Sequence, residues 1–211
     1  MKRRIYKTAR AEASAEIIEK KSRFLATVAP VSGEREALEF IGGVKKKYWD
    51  ARHNCSAFRA GEPLRERSSD DGEPAGSAGA PILEALKREE AVNIAVVVTR
   101  YFGGVLLGVG GLKRAYAAAC RAGLLAAGLA ETRLAVQLEV TVPYAAADKI
   151  KRKIDIENYP CGDIIYKDDV TFRVWVNFED ESDAAEEFFE ISAGTARISR
   201  GEEKYIQRDC Q

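Results

Sequence analysis

Between Val96 and Cys120 the chain reads VVVTRYFGGVLLGVGGLKRAYAAAC. The run NIAVVVTRYF is apolar without alternation, which marks a strand covered on both faces. It ends in five glycines within nine residues: Gly103, Gly104, Gly108, Gly110 and Gly111. The segment that follows, GLKRAYAAACRAGLLAAG, sets Leu112, Tyr116, Cys120 and Leu124 in one stripe at steps of four, and Gly128 stops it, so it reads as a helix. A strand, a glycine loop and a helix in this order constrain the chain to a mixed α/β layer.

Such a loop has two uses. Its amides can converge on an anion at the helix N-terminus, or its glycines can serve tight turns and close packing. The spacing matches neither GxGxxG nor GxxxxGK[ST], so no nucleotide motif is present. Arg100 precedes the loop, Lys113 and Arg114 follow it, and Arg121 lies seven residues beyond Arg114, on nearly the same helix face. These cations favour the anion reading. Arg100, the five glycines, Lys113, Arg114 and Arg121 are the expected phosphate- or nucleic-acid-binding residues.

Composition limits the classes. With 211 residues, 46% of them hydrophobic and 31% charged, the chain has enough apolar content to fold and is not disordered. No apolar run approaches the roughly 20 residues that span a bilayer. The start, MKRRIYKTARAEASAEIIEKK, has no apolar stretch after its charges and is not read as a secretory signal. Cys55, Cys120, Cys161 and Cys210 are scattered without a CxxC and are expected to be reduced thiols in a cytoplasm. The zero net charge hides an asymmetry: residues 1–132 carry 22 Lys+Arg against 16 Asp+Glu, and residues 133–211 carry 11 against 17. Together with the stop at Gly128 and an alternating pattern that resumes at Leu134, this predicts two domains, 1–132 and 133–211.

In the first half, AEIIEKKSRFLATVAPV reads as two strands around a turn at Lys20–Ser22. GEREALEFIGGVKKKYW reads as a helix with a basic last turn, HNCSAFRAG as a strand, and APILEALKREE as a short helix. The second half gives an alternating strand (LAVQLEVTVPY), a helix (AAADKIKRKIDIE) and a hairpin turning at Lys167–Asp169. A short acidic helix (DAAEEFFEISAG) and a last strand (ARISRGEEKYIQ) follow. That βαββαβ order is the ferredoxin-like pattern.

Two further groups invite chemistry. Asp70, Asp71 and Glu73 put three carboxylates in four residues. They could hold Mg²⁺ or form an acid/base pair; the favoured reading is a structural Asp-Gly turn whose acids pair with Arg65, Arg67 or, above all, Arg100. The run PAGSAGAP after them leads into a helix and is a second candidate phosphate cradle, with Ser77 as hydroxyl donor. His53 and Cys55 would share a strand face, but a dyad needs an exposed, activated thiolate, and a half-buried strand is the favoured reading. One histidine excludes a histidine-rich metal site. No catalytic residue, metal or cofactor is expected.

The motifs KKSRFLA, ARHNCSAFRAG, ERSSDDGEPAGSAGAPIL and VVVTRYFGGVLLGVGGLKRAY together resemble the IMPACT (YigZ-like) family over most of residues 20–120, and the later part resembles the C-terminal domain of its bacterial members. The resemblance implies an α+β protein. Its first domain would be an α/β fold like the second domain of a small-subunit ribosomal protein and domain IV of elongation factor G. A small ferredoxin-like domain would follow. Eukaryotic members regulate translation by competing for an activator of the amino-acid-starvation kinase, through an extra N-terminal domain that is not expected here. Bacterial members resemble nucleic-acid or ribosome binders without an assigned reaction. Leu106 stands where the family's loop carries a lysine, and Lys113 replaces an apolar residue. The leading expectation is a translation-associated, ribosome- or RNA-binding regulatory protein. The alternatives are a small-molecule enzyme with a glycine-rich phosphate loop and an acidic Mg²⁺ cluster, and a protein-interaction module whose acidic second domain meets a protein partner.

Overall fold

The computed structural model describes residues 4–209; Met1–Arg3 of the basic start and the thiol of Cys210 lie outside the described residues. The chain divides into two compact units: the second is Thr132–Gln207, and the first runs to Glu131 and also takes in the end of the last strand, from Arg208.

The first unit contains strands β1 (Ile5–Ala9), β2 (Ala13–Glu19), β3 (Ser22–Pro30), β4 (His53–Ala60), β5 (Arg65–Ser69) and β6 (Ile94–Tyr101), and helices α1 (Glu34–Lys47), α2 (Gly79–Arg88) and α3 (Gly108–Ala127). Its antiparallel sheet runs β2-β3-β6-β4-β5, with β6 in the centre. Successive residues of β6 point to opposite faces. Ala95 and Val97 join Ala37, Ile41 and Val44 of α1 in one core. Ile94, Val96 and Val98 join Ile82 and Leu86 of α2 and Leu112, Tyr116 and Leu124 of α3 in another. Helices on both faces are the reason the strand shows no alternation. A Cβ on Gly123 of α3 would lie 2.8 Å from Val28 and 2.9 Å from Ala26, so this glycine lets the helix lie close on β3.

β5 and the start of β7 (Leu129–Val142) have no apolar signature. β5 reads RERSS and is exposed throughout, a charged edge strand. β7 begins five residues before the alternation at Leu134, because its early inward positions are the small Ala130 and the polar Thr132.

The second unit continues β7 with α4 (Tyr144–Ile156), β8 (Cys161–Tyr166), β9 (Val170–Asn177), a short 3₁₀ turn (Phe178–Asp180), α5 (Glu181–Ile191) and β10 (Arg197–Asp209). β7 and β8 both pair antiparallel with β9, and β10 pairs with β7. Val136, Leu138, Val140 and Val142 of β7 face Ile150 and Ile154 of α4 and Phe188 of α5. Among the described residues no helix is long and apolar enough to cross a membrane.

Candidate nucleic-acid interface

The glycines of the loop between β6 and α3 do different things. The Gly103 N–H donates to Ser22 Oγ at 3.1 Å, and a Cβ on Gly103 would sit 2.0 Å from the Lys21 carbonyl. Gly104 and Gly108 have φ of +85° and +68°, the left-handed region that disfavours side chains. A Cβ on Gly111 would press Leu107 at 2.9 Å. Only Gly110 is unconstrained: it has no positive φ, and a Cβ there would meet nothing nearer than Arg114 Nη1 at 3.6 Å. The fold accounts for the other four and gives no reason for glycine at 110. α3 starts at Gly108, three residues before Gly111, where the segment read as a helix begins. No side chain caps it, and Gly108, Val109 and Gly110 are exposed.

A groove of about 690 Å³ lies between the β2–β3 turn, α2 and α3. Small residues on the facing helices, Ala80, Ala85, Ala115 and Ala118, leave the space, and Ile17 and Leu107 add apolar wall. Five cations line it: Lys20 from the turn, Arg88 from α2, and Lys113, Arg114 and Arg121 from α3; two carboxylates, Glu19 and Glu84, also line it, and Glu84 lies 3.8 Å from Lys87 Nζ. None of the five is in an ion pair among the described residues, whereas Arg23, Lys45, Arg59, Arg67 and Lys87 of the same unit are held by carboxylates. Lys113, Arg114 and Arg121 were marked from sequence. In the sequence Lys20 marks only a turn and Arg88 a helix end; their signal is tertiary.

Arg100 is not on this surface. It is 7% exposed, its Nη1 donates to Glu73 Oε1 at 2.6 Å, and its guanidinium packs over Phe24. Tyr116 Oη donates to the same Glu73 oxygen at 2.8 Å, and the Tyr116 ring meets Phe24 edge-on at 5.1 Å. Burial and the contacts with Cys55 and Glu73 push the Tyr116 hydroxyl far up. The expected pairing of Arg100 with Asp70 or Asp71 is therefore corrected: its partner is Glu73.

Asp71 pairs instead with Lys45 Nζ at 2.6 Å and accepts from Asn54 N–H at 2.7 Å. Asp70 accepts from the amides of Gly76, Ala78 and Gly79 at 2.8–2.9 Å. Burial alone would raise both carboxyls. The three amides outweigh it for Asp70, and Lys45 and the Asn54 amide for Asp71, holding both below the usual range. The second phosphate cradle is thus occupied by the chain's own carboxylate. Ser77, its expected hydroxyl donor, is fully buried and its Oγ has no partner. Because each acid faces a different protein donor, the three do not converge on one metal position. Arg67 pairs with Glu34, not with this loop.

His53 and Cys55 project from β4 toward the acidic loop: His53 Nδ1 lies 2.8 Å from the Asp71 carbonyl, and the Cys55 thiol donates to the Asp70 carbonyl at 2.9 Å. Cys55 is fully buried, and burial pushes its thiol up to about 12, so it stays protonated and is no nucleophile.

Residues 20–124 match the Impact N-terminal domain family. The chain is 37% identical over 204 residues to "IMPACT family member YvyE" of Bacillus subtilis, covering 96% of this chain and 94% of that protein. It is 47% identical over 100 residues to "IMPACT family member YigZ" of Escherichia coli, 46% of this chain and 49% of YigZ. "Protein IMPACT homolog" of Dictyostelium discoideum is 41% identical over 98 residues, 44% of this chain and 28% of that protein. A crystal structure described as that of a hypothetical protein superposes with a TM-score of 0.60 at 28% identity, over 95% of this chain and 98% of the other. The chain belongs to the IMPACT family.

Proposed function

We propose that this protein is a translation-associated regulatory protein that binds the ribosome or structured RNA through its first domain. The observation that carries the proposal is the groove: five cations, none in an ion pair among the described residues, outnumber its two carboxylates around an alanine floor, beside a Gly110 whose missing side chain the fold does not require. Unpaired lysines and arginines are what phosphates neutralise, with release of counterions. A glycine on an exposed helix start lets a phosphate reach the backbone amides. Lys113, Arg114 and Arg121 contact phosphates, with Lys20 and Arg88 across the groove; Arg100 supports the loop from inside.

The same proposal covers the architecture. Residues 1–132 form a domain like the second domain of a small-subunit ribosomal protein and domain IV of elongation factor G, and residues 133–211 form a ferredoxin-like domain. The order β7-α4-β8-β9-α5-β10, with β7 flanked by β9 and β10, supports the second assignment. Working on ribosomes, the protein would act in the cytoplasm. Binding of the full chain to purified ribosomal subunits tests the reading. Lys113→Ala with Arg114→Ala should weaken it at least tenfold while the melting transition stays in place; unchanged binding would refute it.

A further inference from the structure

A second, smaller pocket of about 190 Å³ lies against the first half of the glycine loop. Phe102 and Leu106 give it apolar walls, and its polar groups are Arg52, His53 and Arg100. No carboxylate lines it. His53 of β4 and Arg100 of β6 are directly paired across the sheet, so their side chains stand together on one face. Arg52, exposed just before β4, adds a second guanidinium.

Each polar group has capacity left. The Asp71 carbonyl can only accept, so His53 Nδ1 carries the proton in their 2.8 Å bond, and Nε2 is left as an acceptor for the O–H of a monohydrogen phosphoryl group. Arg100 commits Nη1 to Glu73, yet its buried Nε N–H has no acceptor. A buried donor without an acceptor is costly and rare in a folded protein. Arg52 is in no ion pair among the described residues. The pocket is below the roughly 300 Å³ at which sites for drug-sized ligands begin, a size that suits a small tetrahedral oxyanion. Guanidinium forks match phosphoryl oxygens in charge and geometry.

We infer that this pocket seats a single phosphoryl group, held principally by Arg52 and oriented by His53. The group is either free phosphate or the terminal phosphate of an RNA strand. The inference does not depend on RNA binding, because inorganic phosphate probes it alone. Phosphorus NMR titration of the full chain should show saturable phosphate binding. Arg52→Ala, at an exposed position that does not threaten the fold, should weaken it at least tenfold, and Arg52→Lys should weaken it less. Lys46→Ala, which removes an exposed cation outside the pocket, should leave it unchanged. A 5′-phosphorylated oligoribonucleotide bound several-fold more tightly than its 5′-hydroxyl counterpart, with the difference lost in Arg52→Ala, assigns the group to an RNA end; equal binding of the two, with phosphate still saturable, assigns it to free phosphate. No saturable phosphate binding up to about 20 mM, well above the millimolar affinities of weak sites, overturns the inference. Equal weakening by Lys46→Ala and Arg52→Ala would also overturn it, since that is nonspecific attraction.

Discussion

Replacing Glu73 by alanine should be the most damaging single change in the acidic loop. The Glu73 side chain is 3% exposed and that of Arg100 8%, so the pair is removed from water on both sides. Alanine would leave the Arg100 guanidinium buried without its counter-charge and the Tyr116 hydroxyl without its acceptor. Breaking one side of a buried pair costs about 3–5 kcal/mol. The first unit runs to Glu131, and at about 2.1 cal/mol/K of unfolding entropy per residue each kcal/mol shifts its midpoint by about 4 °C. The unit's midpoint should therefore fall by about 10–18 °C in calorimetry. Arg100→Met combined with Glu73→Leu should recover part of that loss, because an apolar pair of similar volume needs no desolvation, while the Tyr116 hydroxyl stays without its acceptor. A fall below about 4 °C for Glu73→Ala, or a double variant as unstable as the sum of the singles, would refute the reasoning.

Three further outcomes follow from the same geometry. Asp70 and Asp71 are held below the ordinary carboxylate range, so their stabilisation is complete above about pH 4 and is lost as pH falls through their depressed values; Asp70→Asn should flatten the acid limb of midpoint against pH, and an unchanged limb would count against the amide cradle. Gly103→Ala drives a Cβ into the Lys21 backbone and should cost about 1–3 kcal/mol or more in chemical denaturation, whereas Gly110→Ala should be neutral or stabilising by about 0.5–1 kcal/mol, and the reverse order would contradict the assignment of the loop's glycines. Cys55 and Cys120 are fully buried with thiols pushed up to about 12, while Cys161 is exposed; peptide mapping after brief alkylation of the native protein should find Cys161 modified and the other two only after unfolding.

What the sequence carried is local and periodic. The continuous apolar run of β6 reported a strand covered on both faces, and the step-of-four stripe reported the buried side of α3. The family motifs at residues 20–120 were equally legible. Features set by distant pairing were not. The RERSS strand buries nothing and leaves no apolar trace. Lys45 reaches Asp71 across 26 residues, a partner that no local spacing indicates. The glycine-rich cradle before α2 looked open to a ligand because nothing local shows that Asp70 already fills it. Arg100 fits both the phosphate site and the acidic loop in the sequence, because its burial depends on Glu73, Tyr116 and Phe24 from three other segments. The groove was half visible: its α3 cations were named, but Lys20 and Arg88 join them only once the β2–β3 turn and α2 pack beside the helix.

The salt dependence of RNA binding tests the central claim most directly. The affinity of the full chain for a structured ribosomal RNA fragment should fall linearly with the logarithm of salt concentration, with a slope near 0.9 per phosphate contact. Replacing Lys113, Arg114 and Arg121 together by alanine should lower that slope by about three units and weaken every RNA sequence similarly. Gly110→Ala should weaken binding without lowering the melting midpoint. A triple variant with the parent's slope and affinity would contradict the account and leave the groove's unpaired cations without a role in RNA binding.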